Sequence, residues 1–390
     1  MPKDEARAEA KDAPEARNEA RGESKTRTIK IGDTDTVAPG EFKHITFKIS
    51  ESSTGRPIQT PILVANSKEP GPALFLVAGI HGNELNGVGA VRELIDQLDL
   101  STMRGALVCL PVVNVPGFLI GSRTLPNGED INRLFPGNKD GSPGERIADM
   151  LLQILSQCDY GITFHTAVDN WFNMVHARCD VSEAENRRLA RALGTEVIIN
   201  EVGLEGMLRR AANDIGIPCV LVEAGEPNAF DRTVIDEVVT CARSAMVDLG
   251  MLKGEIKEPI FRVIIKKTEI IRSDHGGIID MKVVPHQLIY EGDPLFAITN
   301  PFGKERDMHK APFTGMVLGV RTRPIAGPGT PVVLLLKLDK TLSKIEDKLK
   351  ETWRAKAAEV AVPVVSRPQE PILELEIKSD KRGMDDEEGA

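Results

Sequence analysis

Two side chains able to bind a metal, His81 and Glu84, stand three apart where the apolar run Ala73-Leu-Phe-Leu-Val-Ala78 gives way to Gly-Ile-His-Gly-Asn-Glu. A buried strand ending in such a loop presents both at its carboxyl end, where ligands bind in open α/β sheets. An isolated His-x-x-Glu is common by accident, so a further ligand is needed. His165 qualifies, because Gly161-Ile-Thr-Phe runs straight into His165-Thr166, a second strand end. Two histidines and one glutamate with a position left for water are a frequent donor set of hydrolytic zinc. A third apolar strand, Pro218-Cys-Val-Leu-Val, ends on Glu223. A carboxylate there can act as the general base that takes a proton from water and passes it to a leaving amine. The bland account of Glu223 is an acid near a helix N-terminus, since a helix starts near residue 230; Glu226 is a weaker candidate, being further from the strand end.

Between the predicted ligands lies a long polar loop, residues 114–137, rich in Gly and Pro and carrying Arg123, Asp130, Asn132 and Arg133. Irregular loops of that length inside a compact domain are usually functional. Adjacent amide and guanidinium donors can grip a carboxylate, Arg in bidentate fashion. Ordinary surface arginines are the alternative.

The elements that must position these residues follow from periodicity. Phe42, Ile45, Phe47 and Ile49 lead through Ser-Ser-Thr-Gly-Arg-Pro to Val64, a β-hairpin. Strands are predicted at 73–78, 107–113, 161–164, 197–199 and 219–222, with helices at 88–98, 145–155, 183–193 and about 230–249. Strands alternating with helices over residues 42–250 argue for an α/β sheet covered on both sides. After Lys253 short β-rich runs are punctuated by Gly-Gly, Gly-Asp-Pro, Asn-Pro and Gly-Pro-Gly, an all-β second domain. Beyond it Leu342, Ile345, Leu349 and Trp353 share a helix face, and Leu373, Leu375 and Ile377 alternate as an edge strand or a segment that folds on a partner.

The whole chain has 390 residues and a net charge of −9, enough for two or three domains. It has no run of about 18 apolar residues to span a membrane, and no basic block to grip a phosphate backbone. Residues 1–28 hold seven basic and seven acidic side chains. With no hydrophobic stretch they read as a solvated tail and not a secretory signal. Five scattered cysteines (Cys109, Cys158, Cys179, Cys219, Cys241) read as reduced thiols of a cytoplasmic protein.

His81-Gly-Asn-Glu84, Arg123 followed by Asp130-Ile-Asn132-Arg133-Leu-Phe-Pro-Gly, strand-end His165-Thr166 and Glu223-Ala-Gly225, in that order, resemble the succinylglutamate desuccinylase/aspartoacylase family, relatives of zinc carboxypeptidases. The resemblance covers roughly residues 42–338. It implies an α/β fold: a zinc-carboxypeptidase-like mixed sheet with helices on both faces over 29–252, a smaller all-β barrel-like domain over 253–338, and a helix, linker and tail over 339–390. It also implies one zinc per chain held by His81, Glu84 and His165, with Glu223 as base and proton shuttle. Arg123 would polarise the scissile carbonyl and stabilise the oxyanion. Asn132 and Arg133 would hold a substrate carboxylate, and Asp130 would orient His81. One departure is visible: the family usually has Asp two residues before the later His, where this chain has Thr163, which can accept a hydrogen bond but brings no charge.

The second domain looks like a biotinyl/lipoyl-type barrel, and Met281-Lys282 invites a carrier-lysine reading. That reading is rejected, because the modified lysine lies on the hairpin after the Gly-Asp turn, here Thr299-Asn-Pro-Phe-Gly303. The domain is expected instead to narrow the cleft, favouring small substrates over peptides. His176 reads as a strand-face histidine. The leading expectation is a zinc-dependent deacylase of a small anionic N-acyl amino acid or related amide or ester, with self-association left open. The alternatives are a carboxypeptidase-like peptidase and a non-catalytic binding or scaffold protein. The local pair Arg123 and Arg133, and not the net charge, points to an anionic substrate.

Overall fold

A computed structural model describes residues 26–52 and 54–338. The segments expected as a helix at 342–353 and a strand at 373–377 lie outside the described residues, as does most of the charged N-terminal segment.

β1 (Ile29–Ile31) and β2 (Asp35–Val37) form a small antiparallel ribbon. β3 (Glu41–Glu51) and β4 (Pro57–Asn66) are the predicted hairpin, longer than the apolar alternation alone suggests. Alternating elements follow: β5 (Ala73–Val77), α1 (Leu85–Asp96), β6 (Ala106–Leu110), α2 (Val115–Ile120), α3 (Pro143–Leu155), β7 (Tyr160–His165), β8 (Trp171–Cys179), α4 (Ala184–Ala192), β9 (Val197–Asn200), α5 (Leu208–Asp214), β10 (Cys219–Gly225) and α6 (Arg232–Asp248). A capping box starts α3: Ser142 Oγ accepts from the Glu145 N–H, and the Glu145 carboxylate accepts from the Ser142 N–H.

Strands β6, β5, β7 and β10 lie side by side and parallel, with β4 antiparallel beyond β6, β3 antiparallel to β4 in turn, and antiparallel β8 beyond β10. The sheet is therefore mixed, as expected. Every residue of β5, β6 and β7 is buried, which is why these strands read as unbroken apolar runs and not as alternations. Helices α1, α4 and α6 pack on one face, and α3 and α5 on the other. The packing is tight: a Cβ at Gly161 of β7 would lie 2.0 Å from the Phe75 ring.

The C-terminal part contains β11 (Val263–Ile265), β12 (Thr268–Arg272), β13 (Gly277–Met281), β14 (Leu288–Ile289), β15 (Pro294–Thr299), β16 (Glu305–Lys310), β17 (Gly315–Arg321), β18 (Ile325–Ala326) and β19 (Pro331–Lys337). It is β-rich, but it does not stand apart. β8 pairs along one edge with two strands in succession: Trp171 to Asn173 face β17 of the C-terminal part, while Ala177 to Cys179 face β9. Strands β12, β19 and β17 thus extend the main sheet. A separate four-stranded sheet, in the order β16-β15-β13-β18, packs over them around Phe296, Phe313, Val317, Val333 and Leu335. The hairpin between β15 and β16 holds Asn300 to Lys304, and Lys282 is not on it. Among the described residues no helix is long and apolar enough to cross a membrane.

Candidate functional site

His81 lies in the short loop between β5 and α1, Glu84 is the residue preceding the first turn of α1, and His165 is the last residue of β7. The loop bends close under α2: a Cβ at Gly82 would lie 2.1 Å from the Gly117 carbonyl carbon. Only glycine permits that approach, so the Gly between His81 and Asn83 is a condition of the site. Asn86 then ties the helix start to the neighbouring strand, donating to the Ala224 carbonyl (3.1 Å) and accepting from the Asp231 N–H (2.9 Å).

The three predicted ligands converge. His81 Nδ1 is 2.7 Å from Glu84 Oε1, His165 Nδ1 is 2.9 Å from Glu84 Oε2, and the two histidine Nδ1 atoms are 3.3 Å apart. All three residues are buried. Ligand atoms about 2.1 Å from a tetrahedral zinc stand roughly 3.4 Å from one another, so this triangle needs little adjustment to accept an ion. Two imidazole nitrogens facing each other over one carboxylate are also better matched by a shared cation than by protons.

Asp130 meets the far nitrogen of His81, with Oδ1 at 3.1 Å from Nε2, and the same oxygen accepts the Asn132 N–H at 2.9 Å. Arg123 lies against both acids: Nε and Nη2 donate to Asp130 Oδ2 at 3.3 and 3.1 Å, and Nη1 donates to Glu84 Oε1 at 3.2 Å. Electrostatics follow from these contacts. Burial raises the Glu84 carboxyl, but His81 and His165 outweigh it and hold the group down at about 2. Burial disfavours the His81 imidazolium, yet Glu84 and Asp130 prevail and its pKa is raised. Asp130 is resisted by burial and still pulled far below the ordinary aspartate range by His81, Arg123 and Arg133.

Glu223 sits in β10 directly opposite His165 in the parallel register. Its side chain is largely buried, and desolvation raises its pKa against the partial relief of Arg178 and His165. A carboxyl whose pKa is raised in this way binds a proton more readily than an exposed glutamate, as suits a group that takes one up and passes it on. Asn132 and Arg133 fall in a single 3-10 turn at Ile131–Arg133. Asn132 is buried and its Oδ1 accepts from the Leu208 N–H at 2.9 Å, so it anchors α5 and leaves Nδ2 as the donor for a ligand. Arg133 is exposed, with Nη1 donating to the Asn132 carbonyl at 2.7 Å. Glu226 lies at the rim and accepts from Thr322 Oγ1, which brings the β17–β18 connection over the loop after Glu223. Thr163 differs from expectation: its buried Oγ1 makes no hydrogen bond, so it supplies neither charge nor an acceptor to its neighbours.

Sequence reasoning missed the group behind Glu223. Arg178 Nε lies 3.6 Å from Glu223 Oε1 and 3.3 Å from His176 Nε2, and its Nη1 reaches Glu201 at 3.4 Å. Buried Arg209 holds Glu201 from the other side at 2.8 Å. His176 is indeed a strand residue, wholly buried; burial and Arg178 depress it to about 3, so it is neutral. Alternation along β8 was the available signal, since Arg178 is two residues from His176 and shares its face.

Residues 70–248 match the succinylglutamate desuccinylase/aspartoacylase catalytic domain. The chain is 26% identical over 277 residues to the N-alpha-acetyl-L-2,4-diaminobutyric acid deacetylase of Halomonas elongata, covering 67% of this chain and 80% of that protein. Among solved structures, the product-bound ectoine utilization protein EutE (DoeB) from Ruegeria pomeroyi is similar with a TM-score of 0.68 at 22% identity, over 80% of this chain and 99% of the other. A succinylglutamate desuccinylase/aspartoacylase from Rhodobacter sphaeroides gives a TM-score of 0.67 at 18% identity, over 79% and 99%. The catalytic-domain match coincides with the span that carries His81, Arg123, His165 and Glu223, so the likeness to the succinylglutamate desuccinylase/aspartoacylase family falls on the candidate site itself, and these solved structures share the fold.

Proposed function

We propose that the protein is a zinc-dependent deacylase that hydrolyses the amide bond of a small N-acyl amino acid bearing a carboxylate. The observation that carries this reading is the convergence of His81 Nδ1, Glu84 and His165 Nδ1 within 3.3 Å, with the largely buried Glu223 on the adjacent strand opposite His165. Those three side chains would hold the ion, Asp130 fixing the ring of His81 from behind. When bound, zinc supplies a Lewis acid that polarises the acyl carbonyl and makes water more acidic.

The protein's own groups do the rest. Glu223 accepts a proton from the attacking water and returns it to the nitrogen as the C–N bond breaks, giving a carboxylate and an amine. Arg123, beside Glu84, faces the position where negative charge grows on the acyl oxygen. Arg133, exposed at the mouth, and Asn132 Nδ2 bind the substrate carboxylate. The C-terminal strands, reaching the rim through Thr322 and Glu226, limit the cleft to small molecules. Five buried free cysteines support a reducing, cytoplasmic setting.

The test is a panel of acetyl, succinyl and formyl amino acids, N-alpha-acetyl-2,4-diaminobutyrate included because a relative bears that activity in its name, scored by released amine with metal content measured in parallel. Turnover of acyl amino acids with about one zinc per chain is expected. Turnover of C-terminal peptide bonds alone, or less than about half a zinc with full activity, overturns the proposal.

A further inference from the structure

A second cluster of metal-capable side chains lies on the four-stranded C-terminal sheet. β16 is an outer strand of that sheet, and Asp307 and His309 stand two apart on it, on one face. The turn from β12 into β13 brings Asp274 and His275 against them. One ligand atom each from Asp274, Asp307 and His309 lie within 4.8 Å of one another. Asp307 Oδ2 is 2.9 Å from His309 Nε2 and 3.5 Å from His275 Nδ1. These separations straddle the roughly 3.4 Å between neighbouring ligands of a tetrahedral ion.

His309 is the fixed member. Its side chain is 10% exposed, and its ring stacks on Phe296 with centroids 4.3 Å apart and planes 14° from parallel. Its Nε2 is buried and makes no hydrogen bond of acceptable geometry, even with the Asp307 carboxylate beside it. Close approach without hydrogen-bond alignment is the arrangement of two donors aimed at a common ion and not at each other. The remaining donors are more open, Asp307 at 29% and His275 at 51% exposure, so the position is reachable from solvent.

We propose that Asp274, Asp307 and His309, with His275 as a fourth donor, form a second site for a divalent transition ion such as zinc or cobalt. Imidazole and carboxylate donors together suit these ions, whereas calcium and magnesium favour oxygen ligands alone. An ion there staples outer strand β16 to the β12–β13 turn, restraining a sheet edge that otherwise has one open side. The site stands on its own residues and is independent of the hydrolytic reading.

The 390-residue chain carrying His81→Ala and His165→Ala, treated with chelator, is titrated with Co2+ and Zn2+ by absorption and calorimetry. One equivalent is expected to bind, to give cobalt a visible d–d band and to raise the midpoint of thermal unfolding. Adding His309→Ala removes all three signals. Failure of the double variant to bind an equivalent, or an equivalent that survives His309→Ala, overturns the proposal. Should the double variant not fold, the comparison moves to the otherwise wild-type chain. There His309→Ala lowers the stoichiometry by one, and equal stoichiometry in both proteins overturns it.

Discussion

The candidate site is built from two kinds of support, and they differ in rigidity. His81, Glu84 and His165 sit on strand ends and a helix start, with side chains only 3–5% exposed. Arg123 and Asp130 come from the loop between α2 and α3 and are 34% and 20% exposed, and Arg133 is more open still. The sheet-borne half is buried in contacts that leave few alternative rotamers. The loop-borne half can adjust as a ligand arrives. Bond-making groups need fixed geometry, whereas recognition groups gain from reach. If that division holds, substitutions in the sheet-borne half should act on kcat and metal, and substitution of the open, loop-borne Arg133 on KM.

The largest expected break is His165→Ala. It removes a ligand whose Nδ1 lies 2.9 Å from Glu84, so bound metal should fall to near zero. kcat/KM should drop by several powers of ten, since Lewis-acid stabilisation is worth several kcal/mol. Metal analysis beside a single-substrate assay checks it; retained metal would take His165 out of the ligand set. Next comes Glu223→Gln, which keeps the shape and removes the proton acceptor. Metal content should stay near wild type while kcat falls on the order of 10²–10⁴-fold, with KM within a few-fold. Loss of metal instead would make Glu223 a ligand or a structural group.

Much of this site was legible because strand, loop and helix have local signatures. The apolar run before His81, the strand ending at His165 and the strand ending at Glu223 each announce their own carboxyl edge. The resemblance to the family then implied roles that spacing alone left open. What escaped depends on contacts between distant segments. Helix α2 is six residues with Pro and Gly inside, started by Asn114 accepting from the Gly117 N–H, and it reads locally as loop. Helix α5 is short and held in part by Asn132 from 76 residues away. Pairing of β17 with β8 leaves no mark in either strand's own periodicity, so the β-rich segment reads as detached although its strands continue the main sheet. Arg178 meets Glu223, and Glu201 meets Arg178, only through the fold.

A milder test falls on the loop. Arg133→Ala should raise KM for carboxylate-bearing substrates about tenfold or more, the worth of a charged hydrogen bond, with kcat changed only a few-fold. A fall in kcat with unchanged KM would erase the contrast between the two halves. pH sharpens it from the other side. In the metal-free protein the raised pKa of His81 stabilises the fold below 6.5 and the effect is lost as pH rises through that raised value. The carboxyl of Glu84 stabilises above 4.5 and loses its effect as pH falls toward about 2. The pair therefore contributes most between 4.5 and 6.5. Zinc needs the imidazole neutral, so affinity should climb with pH, and calorimetry in two buffers at pH 6 should show about one proton released per ion. No proton release would show that His81 is already neutral.

The smallest expected effect lies beneath the rigid half. Thr163 and His165 share a face of β7, two residues apart, and the Thr163 hydroxyl is buried without a hydrogen bond. A buried hydroxyl without a partner costs about 1–3 kcal/mol in desolvation. Thr163→Val keeps the branched shape and removes that cost, so the protein should gain about 1 kcal/mol toward denaturant while kcat and KM stay within about twofold. This outcome would mean that His165 is oriented by its strand and by Glu84, with no help from the position where the family places an aspartate. A loss of stability, or a fall in metal affinity, would instead show the hydroxyl at work on the ligand beside it, and the rigidity of the sheet-borne half would then depend on that contact as well as on packing.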